Sequence, residues 1–212
     1  MIPARLVLAQ WLSPAFPVGG FAYSQGLEWA IAAGEVGTAE ALRGWLEGCL
    51  AQGAGRSDAI LLCLALRGPD SGPESGLDDL ARALAPARER LEETEAQGAA
   101  FAAAVGALGM QVAAAPYPLA VGRAARGLGL EATEVAALWL QAQATNLVQI
   151  AVRLVPLGQG DGQRVLGAVQ PLILALAEEA AQAGPEEFGS ATFRADLASM
   201  QHETMEVRLC RT

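Results

Sequence analysis

The stretch TAEALRGWLEGCL, residues 38–50, decides the fold class. Thr38 is a helix-capping residue, and Glu40 falls in the first turn, where the helix dipole favours an acid. Leu42, Trp45, Leu46, Cys49 and Leu50 then recur at i, i+3, i+4, i+7 and i+8. That spacing puts every apolar side chain on one face of a helix. The same period returns further along, where Leu147, Ile150, Ala151 and Leu154 mark the buried face of a long helix that Thr133 is placed to cap. Alternating strand-like runs are almost absent, and the fold expected is all-α.

Working outward, Ala4 to Leu12 reads as a short apolar helix. A loop with Pro14, Pro17 and Gly19-Gly20 follows. Ser24 can cap a helix from about Gln25 to Ala33, stopped by Gly34. Ser57 can cap an apolar helix from Asp58 to Arg67. Gly68 to Gly76 reads as a mobile surface loop. Pro86 opens a long helix to about Leu108, charged in its first half and alanine-rich in its second. Helices are expected over residues 119–126 and 163–183, the latter kinked at Pro171, and a last short one capped by Asp196. The result is a single-domain bundle of about ten helices, with a Pro/Gly-rich N-terminal loop and a C-terminal arm over residues 196–212.

Composition narrows the function. The 212 residues carry a net charge of -9, which argues against nucleic acid and anionic membranes as partners. All 14 basic residues are arginine. Without lysine the chain cannot supply the amine of a P-loop, a Schiff base or a protein-kinase site. The most apolar run, Ala59 to Leu66, is too short to cross a bilayer. The first residues make a poor signal peptide, so the cytosol is the expected location. Three cysteines, Cys49, Cys63 and Cys210, show no paired spacing and fit free thiols in a reducing compartment.

No residue set reads as a catalytic or metal centre. His202 is the only histidine, and is expected on a helical or terminal surface. Met200, His202 and Cys210 fall short of the three or four well-placed ligands that tight metal binding needs. Glu92, Glu93 and Glu95, near Arg88 and Arg90, read as a solvated helix face. The four tryptophans, Trp11, Trp29, Trp45 and Trp139, sit in apolar patterns and are expected in the core. Glu28, between Leu27 and Trp29, is a carboxylate that could be buried and would then need a partner, with Arg153 one candidate and full exposure of both the alternative.

Three segments carry a family resemblance. LSPAFPVGGFAYSQGLEW (12–29), NLVQIAVRLVPLGQGDGQ (146–163) and ASMQHETMEVRLCRT (198–212) resemble, in order and spacing, the signature segments of the UreF family of urease accessory proteins. Arg153 stands where that family commonly has lysine, Cys210 where it has an aromatic and Thr212 where it has serine, and residues 88–98 follow it only loosely. The resemblance implies an all-α, usually dimeric protein with no activity or cofactor of its own. It implies a scaffold bridging a UreD/UreH-type protein and the UreG GTPase on apo-urease during nickel delivery, regulating the GTPase cycle or gating nickel transfer. Pro17, Gly19, Gly20, Phe21, Tyr23 and Glu28 are expected to form one partner-binding surface. Arg153 and the arm residues Met200, His202, Glu203, Arg208 and Arg211 complete the expected docking set, on an arm with no core stripe after Met205 that orders on a partner. The competing readings are a small helical hydrolase built on His202 and a cysteine, and a helical adaptor outside urease biology.

Overall fold

In the computed structural model, which describes residues 3–68, 76–189 and 191–212, ten α-helices and no strands are found among the described residues. They are α1 (Ala4–Trp11), α2 (Leu27–Ala32), α3 (Ala39–Gln52), α4 (Ala54–Arg67), α5 (Leu77–Ala83), α6 (Arg88–Ala107), α7 (Tyr117–Ala125), α8 (Ala132–Leu154), α9 (Gln159–Gln182) and α10 (Phe193–His202). The all-α expectation holds. Most of the loop expected over Gly68–Gly76 lies outside the described residues.

The capping logic works best where a side chain has an unambiguous job. The Thr38 hydroxyl accepts the Ala41 N–H at 3.2 Å and starts α3 as expected. Gly34 ends α2 with φ at 79°. Elsewhere the boundaries move. Ser57 lies buried inside α4, which begins three residues earlier at Ala54. Thr133 sits in the first turn of α8, and Asp196 in the first turn of α10, so neither is at a cap position. Helix α9 continues through Pro171. Helix α5 is too short for its period to register against the surrounding loops.

The centre of the bundle is α4, buried on nearly every side from Ser57 to Ala65 and packed by α3, α7, α8 and α9. Its crossing with α7 depends on Gly122, where a Cβ would lie 2.4 Å from the Leu62 carbonyl oxygen. An aromatic chain ties the bundle crosswise: Trp11 meets Phe101 at 5.7 Å, Phe101 meets Tyr117 at 5.9 Å, and Tyr117 meets Trp139 at 4.8 Å. Trp11 and Trp139 are core residues, while Trp29 and Trp45 are only partly buried against the core. One contiguous apolar cluster runs from Leu8 to Cys210.

Two stretches, Ala39–Arg67 and Ala132–Leu154, are long and apolar enough to span a membrane by composition, beyond the shorter run visible in the sequence. At least half of each apolar window is buried inside the protein, as for core helices.

Candidate functional site

Helix α6 inverts the sequence expectation. Glu89, Arg90 and Glu93 are buried, so the charged half is no solvated face. Four-residue spacing puts Glu89, Glu93 and Gln97 on one side of the helix, and that side meets Gln25, α10 and the C-terminal tail. The charges are tolerable because each has partners. Arg90 pairs with Glu93 and lies 3.5 Å from Asp58 on α4. Burial pushes the Asp58 carboxyl up to about 6, against the opposing pull of Arg90.

Helix α2 contributes Glu28, held in place by the turn before it. The Ser24 hydroxyl accepts the Glu28 N–H at 3.2 Å. Gly26 adopts φ of 80°, and a Cβ there would sit 2.5 Å from the Ser199 nitrogen of α10. Only glycine allows both that backbone angle and that approach. Helix α10 then delivers His202, its last residue, and Glu203 follows directly. The Glu203 carboxylate accepts the Arg88 N–H at 3.0 Å and the Glu89 N–H at 3.4 Å, capping α6 from another element.

The tail after α10 folds back into this polar layer. Glu28 accepts the N–H groups of Leu209 and Cys210, each at 2.7 Å. His202 is fully buried, with Nε2 3.2 Å from Glu28 Oε2 and Nδ1 2.7 Å from Glu89 Oε2. Arg208 closes the circuit on the other Glu89 oxygen at 2.6 Å. At the chain terminus the Ser24 N–H donates to the Thr212 main-chain oxygen at 2.6 Å, and the Thr212 hydroxyl donates to Glu93 at 3.2 Å. The Arg211 N–H donates to the Ala22 carbonyl at 2.6 Å. Burial pushes the Glu28 carboxyl up, but the two backbone donors and His202 outweigh it and hold it below the ordinary value. Burial and the neighbouring Glu28 push the Cys210 thiol up to about 11.

Several expectations therefore need correction. His202 is not a surface residue. Glu28 is buried, and its partners are His202 and the tail amides, while Arg153 donates instead to the Phe21 carbonyl at 2.8 Å. Tyr23 is buried too, so Tyr23 and Glu28 lie beneath the loop surface. Pro17 and Phe21 are exposed, and Gly19 and Gly20 half-buried. The tail has anchors after Met205: Cys210 and Thr212 are buried, and the segment is docked within the isolated chain. Met200, Arg208 and Arg211 face solvent at least in part, and Glu203 is half-buried. In the structure buried Cys210 and Thr212 alternate with exposed Leu209 and Arg211, a pattern their residue types do not announce. Sequence reading missed Glu89, Glu93 and Ser24 as tail receptors, because their partners lie more than a hundred residues away.

Loop and tail both expose apolar side chains. Phe21 is 65% exposed, Val207 75% and Leu209 76%, with the Arg211 side chain beside them in sequence. All three cysteines are free. Among the described residues, no three His, Cys, Asp or Glu side chains are disposed to hold a metal ion.

These features define an all-α protein whose C-terminus is locked to its N-terminal loop by a buried acid–base network, with apolar side chains exposed on both segments. The UreF family model matches residues 36–170. The urease accessory protein UreF of Cereibacter sphaeroides (strain ATCC 17029) is 60% identical over the full length of both chains. That of Paracoccus denitrificans is 55% identical over 99% of this chain and 96% of its own. That of Bradyrhizobium sp. (strain BTAi1) is 46% identical over 99% and 92%. The chain belongs to the UreF family of urease accessory proteins.

Proposed function

We propose that this chain is a cytosolic scaffold of urease maturation, without catalytic activity of its own. In this reading it bridges a UreD/UreH-type accessory protein and the UreG GTPase while nickel enters apo-urease, and regulates the GTPase cycle or gates nickel transfer. It works as a homodimer, as one helical domain, without nucleic acid or membrane. The observation that carries the reading is the joining of loop and tail: the Arg211 N–H donates to the Ala22 carbonyl, which ties the loop that exposes Phe21 to the tail that exposes Leu209 and Arg211. An exposed aromatic and a methionine beside arginines match the residue types enriched at protein interfaces. In this reading Pro17, Gly19 and Gly20 shape this face, Arg153 holds it through the Phe21 carbonyl, and Met200, near the end of α10, and Glu203, just past it, add to the docking set. Tyr23, Glu28 and His202 serve it from below.

Co-expression with the UreD-type protein, UreG and apo-urease tests this, followed by size exclusion and a urease assay. Co-elution, with nickel-dependent activation only when the chain is present, is the expected result. Elution of the chain alone, with urease activated equally well without it, overturns the reading.

A further inference from the structure

The buried Glu28–His202–Glu89 triad carries a consequence for protons. Both ring nitrogens of His202 face carboxylate oxygens, Nε2 at 3.2 Å and Nδ1 at 2.7 Å. A neutral imidazole has one N–H and one lone pair. It can satisfy one of these carboxylates but would aim its lone pair at the other. The arrangement takes one more proton, which an imidazolium carries while donating to both carboxylates. No solvent is available to replace the missing donor, since His202 is fully buried and both carboxylates nearly so.

We propose that His202 is a proton-dependent latch for the C-terminal tail: the docked tail holds a proton on the imidazole that the undocked tail releases. The coupling runs through shared atoms. Glu28 binds His202 and the amides of Leu209 and Cys210 with the same carboxylate, and Glu89 binds His202 and Arg208 with its two oxygens. The charged and titratable groups facing the ring are Glu28 from α2, Glu89 from α6, and Arg208 and Cys210 from the tail. Glu203, next to His202 at the end of α10, is engaged with the α6 amides and lies 3.8 Å from Arg88. With the proton, the two carboxylates, the imidazolium and Arg208 sum to zero. Without it, a buried net negative charge remains at the point where the tail is tied. Glu28 stays ionised because its carboxyl is held below the ordinary value, and Cys210 stays a thiol until about 11, so neither replaces His202 as the switching group.

The direction follows from linkage. The docked state binds one proton more than the undocked state with a neutral ring, so docking is favoured on the acid side and lost as pH rises. Where the docked ring keeps its proton and the undocked ring has lost it, the docking equilibrium falls about tenfold per pH unit. The tail carries Arg208 and Arg211, so its release would dismantle the proposed docking face.

His202 is the chain's only histidine, which allows a direct test on the untagged full-length protein. Long-range proton–nitrogen correlation of the imidazole reports its protonation, and amide hydrogen exchange, corrected for intrinsic rates, reports the protection of Leu209 and Cys210. Both are followed from about pH 5 to about pH 9, the span that brackets ordinary histidine titration. The expected result is an imidazolium at the acid end, lost together with tail protection as pH rises. A neutral ring throughout with the tail protected, or a ring that deprotonates while protection stays constant, overturns the proposal. Glu89→Gln sharpens it. The amide can donate to Nδ1, so a neutral imidazole donating to Glu28 satisfies the site, and tail protection should become independent of pH. A variant that folds and keeps the wild-type pH slope also overturns the proposal, while the wild-type titration decides the matter should it not fold.

Discussion

Glu28 and His202 stand 174 residues apart in the chain and meet at 3.2 Å in the interior, one from the first helix after the N-terminal loop and one from the last helix. The same carboxylate accepts both amides of the Leu209-Cys210 step. The N-terminal signature and the C-terminal signature are thus two halves of one structural unit. Each segment alone would expose unpaired polar groups.

Truncating Glu28 to alanine should be severe. It strands His202 and two backbone donors, and breaking a buried charge pair costs about 3–5 kcal/mol. Urea unfolding should show that loss, and hydrogen exchange should place the first damage at residues 208–212.

Gly26→Ala should act at a distance from any charge. Its Cβ would press on the Ser199 nitrogen at 2.5 Å, with φ at 80°. Backbone strain of about 1–2 kcal/mol adds to an overpacking cost of about 1–3 kcal/mol. Limited proteolysis should find α10 and the tail loosened while α3, α4, α8 and α9 stay protected. Wild-type protection of α10 in this variant would show that the contact is slack.

Asp58 predicts a pH dependence of overall stability. Burial raises its carboxyl from 3.8 to about 6. The folded state therefore holds the proton over a range where the unfolded chain has lost it. Stability contributed by this group is full below 3.8, falls as pH rises through about 6, and the loss levels off at about 2–3 kcal/mol above that. Urea midpoints across this range should fall in the wild type relative to Asp58→Asn. Parallel profiles for the two proteins would remove Asp58 as the cause.

Arg211→Ala and Phe21→Ala should separate folding from docking. Both side chains are exposed, and such surface changes shift stability by no more than about 0.5 kcal/mol. Under the proposed function, Arg211→Ala abolishes co-elution with the UreD-type protein and UreG, and Phe21→Ala weakens it by at least about fivefold, the scale of 1 kcal/mol. Normal complexes with Arg211→Ala would discard the tail as a docking element.

What the chain alone settled is what local chemistry settles. The apolar stripe of residues 42–50, the capping hydroxyl of Thr38 and the stop at Gly34 act within a few residues of themselves, so their outcome could be read directly. The three signature segments likewise announced the family. The burial of Glu89, Arg90, Glu93 and His202 could not be read in this way. A helix carrying Glu and Arg at i, i+3 and i+4 has the same local pattern whether water or another helix covers it. Only the tertiary structure supplies the deciding fact, which is that Gln25, α10 and the tail arrive with complementary donors over the acids of α6. Desolvating a charge is unfavourable until such a partner is in place, and these partners come from opposite ends of the chain. Sequence therefore determined the helices and their apolar faces, and the packing of distant segments decided which charges went inside.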